Sequence, residues 1–65
     1  MRPLNQQFEI IGYDKDGQEV STVYTLNTSQ AYELAAKLLE AIGIQSVKVY
    51  FEGISGDVLI DTLSK

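Results

Sequence analysis

The sequence contains no cysteine, no histidine and no tryptophan. Without cysteine there are no disulfide bonds and no thiolate nucleophiles, and without cysteine or histidine the usual zinc ligand sets cannot form. The chain also lacks histidine, the side chain that most often acts as a general base near neutral pH. We therefore expect no resident metal and no cofactor.

Basic residues are few in this chain. Five Lys and Arg stand against nine Asp and Glu, which gives a formal net charge of −4. DNA, RNA and anionic membranes are themselves negative and repel such a chain. No apolar run approaches the roughly 18 residues of a membrane-spanning helix, and Met1–Gln7 lack the apolar segment of a secretory signal. We expect a cytoplasmic protein that binds neither nucleic acid nor membranes directly.

The chain is short, and its 65 residues allow one domain, residues 1–65. A domain of about 60 residues buries only about 60% of its unfolded surface, so its stability is marginal. Small domains commonly gain stability from disulfides, metals or association. Because the first two are missing, we expect a homodimer or a permanent protein partner.

The first part of the chain has the pattern of a β-hairpin. Leu4, Phe8 and Ile10 alternate with polar residues, the period of a half-buried strand. Asp14–Gly17 suits a tight turn that ends in a left-handed glycine, and Val20–Thr25 is rich in β-branched and aromatic residues. The predicted cross-strand pairs are Asp14 with Gln18, Gly12 with Val20, Ile10 with Thr22, Phe8 with Tyr24 and Gln6 with Leu26.

A helix is predicted next. Asn27 is a favourable N-cap, and Gln30 then occupies the third helical position, as in a capping box. Gly43 is the expected stop after a helix over Gln30–Ile42. Apolar residues spaced three and four apart predict its buried stripe, namely Ala31, Leu34, Ala35, Leu38 and Ile42.

The last part of the chain predicts a second hairpin. Val47, Val49 and Phe51 share one parity, and Gly53–Gly56 has turn composition with Ile54-Ser55 at its centre. Leu59 and Leu63 fit this register poorly, because their parity places both on the opposite face. The predicted pairs are Phe51 with Val58, Val49 with Ile60, Val47 with Thr62, Tyr50 with Leu59, and an ion pair of Lys48 with Asp61.

The fold class that follows is α+β in the order ββαββ, a four-stranded sheet with one helix packed on one face. We favour the strand order 2-1-3-4, with 1-2-3-4 as the alternative. The predicted core is Phe8, Ile10, Val20, Tyr24, Leu34, Leu38, Val49, Phe51 and Ile60.

No catalytic constellation is present, and we expect a protein that is not an enzyme. The serines have no histidine to activate them, and neither Lys37 nor Lys48 forms a recognisable serine–lysine motif. Asp14–Gly17 resembles part of a calcium loop but lacks the remaining ligands, and Gly53–Asp57 lacks the lysine of a phosphate loop. Both segments are better explained as hairpin turns.

The sheet face away from the helix carries more large apolar groups than a solvated face needs. Tyrosine suits interfaces, because its broad apolar body ends in a polar tip. Scattered exposed hydrophobic residues are also common without any function. The candidate partner-binding residues are Ile11, Tyr13, Val23, Tyr50 and Leu59 on this face, with Tyr32 and Leu39 on a flank of the helix as a second surface.

These features favour a non-catalytic protein-interaction module, expected to be homodimeric. A sharper version is a small acidic inhibitor of the kind that mobile elements encode, which covers a partner's surface and imitates nucleic acid. The alternatives are a structural or assembly subunit, and a single-stranded nucleic-acid binder whose sheet-face tyrosines stack bases. The carboxylates around Tyr13 and Tyr50 argue against the last. The inhibitor's acidic residues would be Glu9, Asp14, Asp16, Glu19, Glu52, Asp57 and Asp61, which also serve solubility.

Overall fold

The computed structural model describes residues 7–53 and 55–65. They form one antiparallel sheet in the strand order β2-β1-β3-β4, with a single helix packed against it, so the ββαββ prediction and the favoured strand order are confirmed. The predictions that involve Leu4, Gln6 and Ile54 lie outside the described residues. The elements are β1 (Gln7–Tyr13), β2 (Glu19–Thr25), α1 (Thr28–Leu39), β3 (Ser46–Gly53) and β4 (Gly56–Ser64).

The turn between β1 and β2 is held by its own aspartate. The Asp14 side chain accepts hydrogen bonds from the backbone N–H groups of Asp16 and Gln18, both at 2.9 Å. Backbone bonds from Gly17 to Asp14 and from Asp14 to Gln18 close the loop at 3.0 Å. Gly17 has a φ of +81°, the left-handed conformation that the turn prediction requires.

The first hairpin has a β-bulge at Val20 that changes the predicted register. Tyr13 lies opposite Glu19, but Gly12 lies opposite Ser21, so that Val20 is an extra residue on β2. The rest of β2 is displaced by one position, which exchanges its two faces. The predicted pairs beyond the turn are therefore wrong, and the observed ones include Ile10 with Val23, Glu9 with Tyr24 and Phe8 with Thr25.

The second hairpin has an equivalent bulge at Ile60. Tyr50 lies opposite Leu59 as predicted, whereas Val49 lies opposite Asp61, with Ile60 extra between them. The bulge explains the poor fit of Leu63, because it moves that side chain to the helix side, where it packs against the core. The predicted pairs with Ile60, Thr62 and Asp61 are wrong, and Lys48 lies opposite Thr62 instead of Asp61.

Helix α1 has the predicted N-cap, but it begins at Thr28 rather than Gln30 and ends earlier than predicted. The Asn27 side chain accepts a hydrogen bond from the Gln30 backbone N–H at 3.1 Å, so the N-cap is confirmed. The helix ends at Leu39, and Ala41 donates to the Leu38 carbonyl in the tighter spacing of a turn. Ile42 is consequently 102% exposed rather than buried, and the prediction that it belongs to the core stripe is wrong.

The core lies between α1 and the two central strands. Phe8 and Phe51 form a tilted aromatic pair with ring centroids 5.1 Å apart, and such pairs contribute about 0.5–1.5 kcal/mol beyond area burial. Ile44, just after the α1–β3 turn, takes the core position predicted for Ile42 and is 4% exposed. Leu34 and Leu38 are half-buried against the cluster. Its fully or nearly fully buried members are Phe8, Ile10, Ala31, Ala35, Ile44, Val47 and Val49.

Three predicted core residues are exposed, and both bulges account for this. Val20 and Ile60 are the extra residues of the bulges and are 56% and 43% exposed. Tyr24 is 53% exposed because the shift in β2 places it on the sheet face away from α1. Both bulged strands are edge strands, and bulges there twist the edge and interrupt its ladder.

Candidate functional site

The candidate site is the sheet surface opposite α1, here called the helix-free face. Cross-strand pairing defines it, because directly opposite residues share a face and side chains alternate along each strand. Its residues are Gln7, Glu9, Ile11 and Tyr13 of β1, Glu19, Thr22 and Tyr24 of β2, Ser46, Lys48, Tyr50 and Glu52 of β3, and Asp57, Leu59, Thr62 and Ser64 of β4.

Glu9 lies between two tyrosines on the helix-free face. It is the direct cross-strand partner of Tyr24 on one side and of Tyr50 on the other. The Tyr24 hydroxyl donates a hydrogen bond to Glu9 Oε2 at 3.1 Å. This hydrogen bond, together with the negative charge of Glu9, raises the pKa of Tyr24 above its usual 10.0. A carboxylate is thereby fixed between two phenol rings.

Among the described residues, the one cation on the helix-free face contacts a tyrosine ring. Lys48 Nζ lies 5.3 Å from the centroid of the Tyr13 ring, within the range of a cation–π contact. Burial is the largest cause that raises the pKa of Tyr13, followed by the neighbouring Tyr50 and the negative charge of Glu19. Tyr13 therefore stays neutral well into the alkaline range and presents an uncharged aromatic ring.

Three carboxylates gather at one end of the helix-free face, here called the acidic end. Oxygen atoms of Glu9, Glu52 and Asp57 all lie within 4.8 Å of one another. Gln7 donates a hydrogen bond from Nε2 to Glu52 Oε1 at 2.6 Å, and the Tyr24 hydroxyl donates to Glu9. Both donors are neutral, so neither hydrogen bond neutralises the charge of a carboxylate. Carboxylates are the ligands that Ca²⁺ and Mg²⁺ prefer, but exposed acidic groups of this kind are common without an ion.

The predicted site residues are placed as follows on the sheet. Tyr13, Tyr50 and Leu59 lie on the helix-free face, with Leu59 49% exposed. Ile11 also lies on this face but is only 8% exposed. It packs beneath its neighbours and offers a partner little surface. Val23 is opposite the core residue Ile10 and therefore belongs to the helix side. Its placement on the helix-free face was wrong, because the register prediction did not include the bulge at Val20.

The bulges also place three polar residues on the helix side of the sheet. Asp61 lies opposite Val49 and so belongs to the helix side, as do Ser21 and Thr25. The Thr25 hydroxyl donates to the Gln30 side chain at the start of α1, at 3.1 Å, which agrees with that placement. The helix-free face thus keeps Glu9, Glu19, Glu52 and Asp57 as its carboxylates.

The second predicted surface, the flank of α1, is divided by the structure. Tyr32 is 42% exposed and remains accessible. Leu39 is half-buried and packs against the core cluster. The flank therefore offers a single large side chain, which is less than the helix-free face offers.

Tyr24 is the principal residue that sequence reasoning missed. If β1 and β2 are paired without a bulge, Tyr24 lies opposite Phe8 and shares its face, which is the core face. The signal that could have identified Tyr24 is its match with Glu9. If the register of β2 is shifted by one residue, Tyr24 lies opposite Glu9 and can donate a hydrogen bond to its carboxylate. Val58 and Ile60 were also missed as exposed groups, at 57% and 43%.

A pocket of about 420 Å³ lies at the opposite end of β1, beside the turn after α1. Its lining includes Asp14, whose carboxylate already accepts two backbone N–H groups of the turn. Lys65 donates from Nζ to the Ala41 carbonyl at 3.1 Å. Asp14 and Lys65, two of the charged residues of this pocket, thus already have partners within the fold. The lining residues are Asp14, Lys15, Gly43, Ile44, Gln45 and Lys65.

Comparison of the chain with protein-family models, with curated proteins and with solved structures finds no match. Among residues 7–53 and 55–65, no helix has both the length and the apolar character needed to cross a membrane.

Proposed function

We propose that this protein is a non-catalytic interaction module that binds a protein partner through its helix-free face. The observation that carries the proposal is the grouping of Tyr13, Tyr24 and Tyr50 on one open sheet face beside the exposed Leu59. Tyrosines give interfaces a large contact area at a small cost in side-chain entropy. The module would act by covering the surface that it binds, as an inhibitor does.

The charge and the composition support this proposal over the alternatives. Carboxylates surround the tyrosines, so a base-stacking surface for single-stranded nucleic acid is disfavoured by repulsion from phosphates. With no histidine or cysteine in the sequence, proton transfer or nucleophilic attack would depend on carboxylates, lysines and hydroxyl groups. A structural or assembly subunit would use the same face and differs only in what the covered partner does.

Matched surface variants test the proposal. The wild-type chain and two double variants serve as bait in extracts of the source cells. Tyr50→Ser with Leu59→Ser alters the helix-free face, and Tyr32→Ser with Ile42→Ser makes equivalent changes elsewhere. We expect the wild type and the second variant to retain the same partner and the first variant to lose it. Equal retention by both variants, with both folded by circular dichroism, would contradict the proposal.

Self-association is a second candidate, favoured by a specific feature of β4. This edge strand exposes three consecutive apolar residues, Val58, Leu59 and Ile60, at 57%, 49% and 43%. An edge strand also presents unpaired backbone groups that can pair with another chain. The homodimer expected from the sequence would form here, against the opposition of Asp57, Asp61 and the bulge.

A further inference from the structure

The helix-free face is strongly unbalanced in charge. It carries Glu9, Glu19, Glu52 and Asp57, whereas Lys48 is its only cation among the described residues. The face therefore holds most of the chain's net charge of −4. Such a field attracts positively charged surfaces and accelerates their association.

The carboxylates and the tyrosine rings are placed to receive a cation together. Glu9 is flanked by Tyr24 and Tyr50 on adjacent strands, and its oxygen lies within 4.8 Å of those of Glu52 and Asp57. A guanidinium group can donate two hydrogen bonds from its edge to a carboxylate while its plane stacks on an aromatic ring. The contact between Lys48 and Tyr13, at 5.3 Å, shows that this face already holds an ammonium over a ring.

The same charges disfavour a second copy of this chain as the occupant. Face-to-face pairing would place eight carboxylates against only two ammonium groups, and like charges across an interface cost free energy. Nucleic acid is disfavoured for the same reason. Charge complementarity selects a protein partner with an arginine-rich or lysine-rich surface.

We propose that the helix-free face docks a basic protein surface and that a partner arginine is held by the acidic end between Tyr24 and Tyr50. This inference rests on the proposed function and names the chemistry of its partner. The partner's arginine would form its main ion pair with Glu9, and the rings of Tyr24 and Tyr50 would exclude water from that ion pair.

The experiment is a titration of the ¹⁵N-labelled 65-residue chain with a hexa-arginine peptide at low ionic strength. We expect amide shifts centred on Glu9, Tyr24, Tyr50 and Glu52, and binding that weakens as salt is added. Glu9→Gln with Glu52→Gln should weaken binding about tenfold. Glu33→Gln with Glu40→Gln, the same change of charge on α1 and its C-cap, should weaken it less than about twofold. A hexa-lysine peptide should bind more weakly than hexa-arginine.

Four outcomes would overturn the inference. Equal weakening by both charge pairs would show that the peptide senses net charge alone, and shifts confined to α1 or to residues 14–17 would place the cation elsewhere. Tyr50→Leu preserves the net charge and an apolar side chain but removes the aromatic ring. Unchanged affinity of that variant for hexa-arginine would show that the Tyr50 ring does not contribute to binding. If the bait experiment succeeds while the peptide fails, the partner is not basic and the proposed function still stands.

Discussion

The Tyr24 hydroxyl donates a hydrogen bond to the Glu9 carboxylate across neighbouring strands, with 3.1 Å between the two oxygens. The pair exists only because the bulge at Val20 moves Tyr24 from the helix side to the helix-free face. One extra residue in an edge strand therefore changes a core tyrosine into a member of the candidate interface. The predictions below depend on that placement and on the packing around it.

The Tyr24–Glu9 hydrogen bond predicts an alkaline shift in the titration of Tyr24. Its pKa is raised because the hydrogen bond and the charge of Glu9 both oppose formation of the phenolate. The neutral phenol is thus favoured in the folded state. The resulting stabilisation is present below the unfolded pKa of about 10 and disappears as the pH rises through the folded pKa.

An NMR titration of the tyrosine ring carbons measures this shift. We expect Tyr24 to titrate above pH 10 in the wild type and at a lower pH in Glu9→Gln. The control Glu33→Gln removes an equal charge from α1 and should leave the Tyr24 midpoint nearly unchanged. An equal effect of the two substitutions would mean that net charge, and not the hydrogen bond, sets the pKa of Tyr24.

Two isoleucines test where the core lies. Ile10 is 0% exposed and Ile42 is 102% exposed. Ile10→Ala should lower the free energy of unfolding by about 2–5 kcal/mol through lost burial and a residual cavity. Ile42→Ala should change it by no more than about 0.5 kcal/mol. Urea unfolding followed by circular dichroism measures both, and a large loss for Ile42→Ala would contradict the end of α1 at Leu39.

Gly17 tests the first turn through backbone conformation alone. Its φ is +81°, and a Cβ added there meets no atom within 4 Å, so a steric clash with the rest of the fold is absent. Gly17→Val should cost about 1–3 kcal/mol, because a β-branched residue resists the left-handed region. Gly17→Asn should cost less, because asparagine adopts that region more readily. Thermal unfolding measures both variants, and equal stability of the two would show that the left-handed conformation is not required.

Self-association through β4 predicts a specific dependence on salt. Asp57 and Asp61 of two copies would repel one another, so added salt should favour the dimer. Sedimentation equilibrium at high micromolar concentration measures the mass at low and high salt. Val58→Ser with Ile60→Ser should yield monomers, whereas Ile42→Ser should not. A monomeric wild type under all of these conditions would exclude this candidate.

The sequence predicts the elements of this fold well, because each depends on local chemistry. Asn27 caps α1 by the short-range hydrogen bond that its side chain permits, and Gly17 closes a turn that few other residues tolerate. Alternation identifies the four strands. Residues beside each turn are paired correctly, as Asp14 with Gln18 and Tyr50 with Leu59 show.

The bulges could not be predicted in the same way, because they depend on packing across the sheet. Val20 and Ile60 are ordinary strand residues, and no glycine marks either position. Beyond each bulge, the side chains of the strand lie on the opposite sides of the sheet from those predicted. For this reason Tyr24 lies on the helix-free face and Val23 on the helix side. Tyr13, Tyr50 and Leu59 lie outside the shifted segments, so their predicted placement on the helix-free face is confirmed.

The helix-free face as the docking surface is tested most directly by mapping the bound partner on this chain. The ¹⁵N-labelled chain is titrated with the purified partner from the bait experiment, and the amide shifts are assigned to residues. We predict the largest shifts at Glu9, Tyr24, Tyr50 and Leu59, with the outer side of α1 around Tyr32 unchanged. Shifts centred on α1, with those four residues unaffected, would contradict the account.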